Sequence, residues 1–206
     1  MPLTGKLAIV EASNIVGGKV MAEIAQVQRG HRWRIIGWGA AVAILAAPFV
    51  AMQLNAEGVE WSVGDFIAMG VMLGTVGALL ELAVRMSSDR YYRAGAGLAV
   101  LGTFLLVWAN LAVGIVASEN NPNNQLFFVA LLMGIAGIIG AKVRADGMAR
   151  AMLTTAGSVV VAFVVAELGA RDEPIVRPMV EAVGTSVFVA LFLASAWMFR
   201  KAATYS

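Results

Sequence analysis

Six long, mostly apolar segments divide this chain, and no other feature restricts its fold as strongly. A bilayer core of ~30 Å is crossed by about 20 apolar residues in helical form. Each segment reaches that length with at most one or two strongly polar side chains, so the sequence predicts an all-α integral membrane bundle of six transmembrane helices. The segments are residues 35–54, 66–84, 94–117, 122–141, 148–168 and 179–199.

The composition agrees with a membrane location and excludes several classes of metal and cofactor site. The chain is 60% hydrophobic and 14% charged, whereas roughly a quarter of a typical soluble domain is charged. It has no Cys and a single His, so thiolate metal sites, iron–sulfur clusters and a bis-His haem are excluded for this chain alone. We therefore expect no cofactor, no metal and no catalytic residues, although an enzyme remains a third alternative.

Basic residues predict the orientation. Thirteen of the fifteen lie in the termini and in alternate loops, and that side is cytoplasmic by the positive-inside rule. The lipid bilayer then accounts for the charge pattern, so we expect no nucleic-acid partner. The predicted organisation is a cytoplasmic N-terminal segment (1–34), a transmembrane domain (35–200) and a short cytoplasmic tail (201–206).

The N-terminal segment has apolar residues at helical spacing. Such a stripe predicts an amphipathic helix at the membrane surface or against a partner, and a flexible leader is the alternative. The stripe consists of Val16, Val20, Ile24 and Val27.

Two predicted outer loops carry polar residues that can begin helices. Ser62 and Asp65 have the spacing of a capping box, and Asn121 before Pro122 has the form of an N-cap followed by a first helical residue. On this interpretation only residues 118–120 remain as a loop between the third and fourth helices. The alternative is a small-ligand or cation site, since carboxylates and amide oxygens are hard ligands. Its candidate members are Glu60, Asp65, Glu119, Asn120 and Asn124, with Trp61 either beside it or anchored at the membrane surface.

Asn110 is the polar residue deepest in the third segment, about 10 Å inside its predicted end. It shares a helical face with Thr103, Gly114 and Ala117, so we expect a hydrogen bond between helices within a packing seam. A solute path is the alternative.

Stripes of small residues predict close helix packing, either within the bundle or between copies or partners. These glycine-rich faces are the expected contact for a homo-oligomer or another membrane protein. The stripes comprise Gly70, Gly74 and Ala78; Ala130, Gly134, Gly137 and Ala141; and Ser186, Ala190 and Ala194.

The motif W-x-N-x-A-V-G-I-x-x-S-E-N-N-P-x-N, over residues 108–124, resembles an uncharacterised family of small multipass inner-membrane proteins of Gram-negative bacteria. The pattern Glu60-Trp-x-x-x-Asp-Phe66 supports the same resemblance. It implies the bacterial inner membrane and directs attention to the motif's polar and aromatic members. These are Trp108, Asn110, Glu119, Asn121, Pro122 and Asn124.

For function, the sequence favours a non-enzymatic accessory or interaction protein, or a sensor of a small ligand. An oligomeric permease for a small solute or ion is the alternative. A polar stripe through two or more segments would favour the permease, and the sequence offers only isolated members.

Overall fold

The computed structural model describes residues 34–56, 58–170 and 177–205. Those residues form helices and connections without a strand, and six of the helices are long and apolar enough to cross a membrane, which confirms the predicted number. The amphipathic stripe of the N-terminal segment lies outside the described residues. The helices are α1 (Arg34–Gln53), α2 (Val63–Met86), α3 (Arg90–Ala112), α4 (Gln125–Gly140), α5 (Ala145–Gly169) and α6 (Pro178–Tyr205), with a short 3₁₀ helix (Pro122–Asn124) before α4.

The third helix is shorter than predicted. It ends at Ala112 rather than residue 117, and residues 113–121 form an irregular connection in place of the predicted three-residue loop. Gly114 and Ala117 adopt left-handed backbone conformations with φ of +73° and +63°, which a right-handed helix cannot continue through. The predicted helical face shared by Asn110, Gly114 and Ala117 is therefore wrong.

The described residues divide into two compact units, and the first contains α1 and the first half of α2. The predicted capping box at the start of α2 is confirmed. The Ser62 backbone N–H donates to the Asp65 carboxylate at 2.7 Å, and the Asp65 N–H donates to Ser62 Oγ at 3.3 Å. These bonds satisfy backbone groups that would otherwise be unpaired at the helix start.

The second unit, residues 74–206, contains α3 to α6. Helix α6 packs against both α3 and α5, and α5 packs against α4. Helices α3 and α6 are antiparallel, because the Phe199 ring covers Gly95 while Phe192 lies near Gly102, seven residues further along α3. Ser195 fastens this pair by donating from Oγ to the Gly95 carbonyl oxygen at 2.7 Å.

The glycine stripe of α4 packs as predicted. A Cβ atom on Gly134 would collide with the Thr155 hydroxyl, and one on Gly137 would lie 3.0 Å from the Ala151 methyl group. The small residues therefore let α4 and α5 approach closely, as they do in other membrane bundles.

The small-residue stripe of α6 does not lie on the face of the helix that packs against α3 and α5. Ser186 and Ala190 are exposed, whereas the buried face presents larger side chains to α3 and α5. Aromatic rings fill this interface, so close backbone contact is not what holds α6. The buried residues of that face are Thr185, Phe188, Phe192, Ser195, Ala196, Phe199 and Ala202.

Asp146 and Gly147 lie in the first turn of α5, directly after the turn between the fourth and fifth helices. The turn lies at residues 141–144, where Lys142 and Val143 take positive φ angles. Asp146 is held in the helix by Arg150, whose guanidinium donates to its carboxylate at 3.0 Å. This pair follows the i, i+4 spacing that stabilises helices.

Candidate functional site

Asn124 organises the connection between α3 and α4. Its buried side chain accepts hydrogen bonds through Oδ1 from the Ile115 and Val116 backbone N–H groups, at 3.3 and 3.0 Å. Its Nδ2 donates to the carbonyl oxygens of Val116 and Ser118, at 3.1 and 2.7 Å. One amide thus replaces the backbone hydrogen bonds that residues 115–118 would have made in a helix.

Asn110 joins this network from the last turn of α3. Its Nδ2 donates to the Asn124 carbonyl oxygen at 3.1 Å, so its partner is the start of the fourth helix. Because α3 ends at Ala112, Asn110 lies only about 3 Å from the helix end rather than about 10 Å. The predicted hydrogen bond between helical segments is present, but its carbonyl acceptor was not foreseen.

Asn121 caps the 3₁₀ helix as predicted. Its Oδ1 accepts from the Asn123 N–H at 2.9 Å, and Pro122 takes the first position of the helix. Asn123 in turn fills the space beside Gly169 at the end of α5. Asn123 thus connects the start of the fourth helix with the end of the fifth.

Three other candidates of the central motif face outward. Glu119 and Asn120 are exposed, and the Asn120 Nδ2 donates to Glu119 Oε1 at 3.4 Å. Trp108 is 44% exposed on α3. These side chains contribute no buried polar atom to the network around Asn124.

The remaining candidates belong to the first unit. Asp65 is engaged by Ser62, as described above. Trp61 packs edge-on against Phe66, with ring centroids 5.2 Å apart, and Glu60 is exposed. Glu60 and Trp61 line a cavity of about 570 Å³ in the α1–α2 connection.

Sequence reasoning missed three polar residues near the network, namely Glu167, Glu181 and Thr185. Glu181 Oε1 accepts from the Ala117 N–H at 3.2 Å and from the Arg177 N–H at 3.1 Å. The first of these bonds ties α6 to the left-handed residue of the connection. The Glu167 carboxyl, at the end of α5, lies against that of Glu181.

Several buried atoms of these residues have no hydrogen-bond partner in the described part of the chain. Each side chain of this set belongs to the same end of the second unit, where α3 and α5 end and α4 and α6 begin. The atoms are Asn110 Oδ1, Asn121 Nδ2, Glu167 Oε1, Glu181 Oε2 and Thr185 Oγ1. Four of the five are oxygens, so the arrangement favours a ligand that is positively charged or donates hydrogen bonds.

A signal for the missed pair was present in the sequence. Glu167 and Glu181 lie near the facing ends of two consecutive apolar segments, and consecutive segments that cross a bilayer are antiparallel. However, the two carboxyl groups meet only because of how α5 and α6 pack against each other, and the sequence pattern does not predict that packing.

Comparison of the chain with protein-family models, with curated proteins and with solved structures finds no match. The resemblance carried by the central motif therefore stays a prediction.

Proposed function

We propose that this chain is a multipass protein of the bacterial inner membrane, with both termini in the cytoplasm, that acts without catalysis as an interaction subunit. Six helices of sufficient length and apolarity support membrane insertion. The concentration of basic residues on alternate connections supports the orientation.

The interaction role is supported by the difference between the helices in the fraction of their residues that is buried. In the most apolar window of α1, 0% of the residues are buried, and in that of α2, 11%. The corresponding windows of α3 to α6 are 28–39% buried. Among the described residues, α1 and α2 are therefore the membrane-spanning helices with the smallest buried share.

The face of α2 that bears Gly70 and Gly74 suggests the partner. An added Cβ atom on Gly74 would meet no atom of the described residues within 4 Å, so none of these residues covers this part of the face. Helix faces with two glycines four residues apart let backbones approach closely in lipid. Because such a face can pack against an identical one around a two-fold axis, we propose a second copy of this chain as the partner.

Energy transfer between two fluorescently labelled populations in liposomes tests this proposal. The variant Gly74→Ile places a branched side chain on the open face and is expected to lower transfer strongly. Gly97→Ile on α3 is the matched control, since Gly97 also has open space around it. Equal transfer in wild type and Gly74→Ile, or absence of transfer in wild type, would contradict the proposal.

The permease alternative also requires an oligomer, so solute uptake into the same liposomes separates the two functions. For an interaction subunit, we expect Gly74→Ile to lose oligomerisation and the wild type to show no solute uptake. Sensing of a small ligand is a second candidate function, favoured by the unpartnered buried oxygens at the end of the second unit.

A further inference from the structure

We propose that Glu167 and Glu181, together with Thr185 and Asn110, form a binding site for a hard divalent cation of the calcium type. The inference concerns the second unit only and does not depend on the interaction role proposed above. Its basis is the contact between two carboxyl groups at an end of the unit that also holds two almost fully buried neutral oxygens, neither of which has a hydrogen-bond partner among the described residues.

Within the described part of the chain, neither carboxyl group of this pair forms an ion pair with a basic side chain. Glu167 and Glu181 lie against each other, and the ion pairs formed by described residues involve Glu81 and Asp146 instead. Arg177 approaches Glu181 through its backbone N–H, and Glu181 Oε2 is buried with no N–H donor or hydroxyl group bonded to it among the described residues. Two adjacent carboxylates without a cation repel each other, so a bound double positive charge would neutralise them.

Thr185 brings a neutral oxygen to the same place. It lies one helical turn after Glu181 on the buried face of α6 and is 3% exposed. Its hydroxyl has no hydrogen-bond partner among the described residues. A buried hydroxyl without a partner is costly, which points to an occupant that supplies the missing interaction.

The register of the antiparallel helices α3 and α6 places Asn110 at the level of the proposed site. Gly102 lies opposite Phe192, and the two helices are antiparallel. Asn110 lies eight residues after Gly102 on α3, and Thr185 lies seven residues before Phe192 on α6. Asn110 is therefore level with the turn that carries Thr185. Asn110 is 5% exposed, its Nδ2 donates to the Asn124 carbonyl oxygen, and its Oδ1 has no hydrogen-bond partner among the described residues.

The donor set favours calcium over other ions. Carboxylate, amide and hydroxyl oxygens are hard ligands, and Ca²⁺ accepts irregular arrangements of six to eight oxygens, whereas Mg²⁺ requires a nearly ideal octahedron. Thiolate and imidazole ligands, which softer metals prefer, are absent from the set. Bound Ca²⁺ would link α3, α5 and α6 and so stabilise this end of the unit.

Calcium titration of the purified full-length protein tests the proposal. Protein in detergent micelles is freed of metal with a chelator, the chelator is removed, and calcium is added in a calorimeter. We expect one ion per chain, with a dissociation constant on the order of 10⁻⁵ to 10⁻⁴ M. Glu167→Gln is expected to weaken binding by roughly 10-fold or more, because it removes a charged ligand.

Glu119→Gln is the matched control, since Glu119 is an exposed carboxylate at the same end of the unit and should leave binding unchanged. Thr185→Val, which keeps the side-chain shape, provides a second variant if Glu167→Gln does not fold, and it should also weaken binding. A site in wild type that is insensitive to both variants would overturn the proposal. So would the absence of calcium binding, including the case in which acid alone stabilises the protein through a proton shared by the two carboxyl groups.

Discussion

The Asn124 side chain is bonded to the backbone of the connection between α3 and α4. Its amide makes four hydrogen bonds to the backbone of residues 115–118, and its own carbonyl accepts from Asn110. The connection after α3 has no regular secondary structure, so these bonds replace a helical ladder. The stretch of asparagines thus stabilises an irregular segment from inside, in addition to capping the next helix.

We expect Asn124→Ala to lower the free energy of unfolding by about 2 to 4 kcal/mol, because several buried backbone groups lose their partners. Denaturation in mixed micelles, followed by circular dichroism, measures the change. Asn120→Ala is the matched control and should change stability little, since Asn120 is exposed. Equal effects of the two variants would show that the buried network contributes no particular stability.

The backbone conformation of the same connection also requires a glycine at position 114. The Gly114 φ of +73° is accessible to glycine without strain, and an added Cβ atom would collide with the Ser118 carbonyl group. Neighbouring Ala117 has a φ of +63° despite its side chain, and its N–H is held by Glu181. The backbone is therefore directed by contacts made far away in the sequence.

At the scale of elements, the α4–α5 contact depends on one glycine. Gly134 lies against Thr155, which is 1% exposed and whose hydroxyl donates to the Ala151 carbonyl oxygen at 2.8 Å. A methyl group cannot enter this interface unless Thr155 moves. The tight approach of the two helices follows from the missing side chain on α4.

We expect Gly134→Ala to destabilise the bundle by about 1 to 3 kcal/mol through overpacking. Gly140→Ala, in the same helix but with open space around it, should be neutral or stabilise by up to about 1 kcal/mol through helix propensity. Thermal melting in detergent distinguishes the two. The double variant Gly134→Ala with Thr155→Ala should recover part of the loss, and a failure to do so would contradict the packing explanation.

At the scale of the whole molecule, the testable property is orientation in the membrane. The chain contains no cysteine, so single cysteines can be introduced without background labelling. We expect Glu119→Cys to react with a membrane-impermeant maleimide in intact bacteria that have a permeable outer membrane, because the proposed topology places it outside.

Arg200→Cys should react only after the inner membrane is opened, because the proposed topology places it in the cytoplasm. Both side chains are exposed in the structure, so accessibility within the fold does not explain a difference between them. Labelling of Arg200→Cys in intact cells would overturn the proposed orientation of the C-terminus.

Features that depend on adjacent residues were predictable from the sequence. The Ser62–Asp65 capping box and the Asn121–Pro122 helix start both follow local spacing rules and are confirmed. Among the predicted site residues, Asn110, Asn121 and Asn124 are buried, whereas Glu119 and Asn120 are exposed.

The sequence by itself determined six helices of membrane-crossing length, because apolar length and helix-start residues are local properties of the chain. Tertiary structure alone decided that α3 ends at Ala112, that Asn124 supports the following connection, and that Glu167 meets Glu181. Each of these depends on segments distant in the sequence, and the face that one helix presents to another is selected by shape and hydrogen bonding across the interface. Hydropathy indicates which segments can enter a membrane, but it does not specify which of their faces pack together.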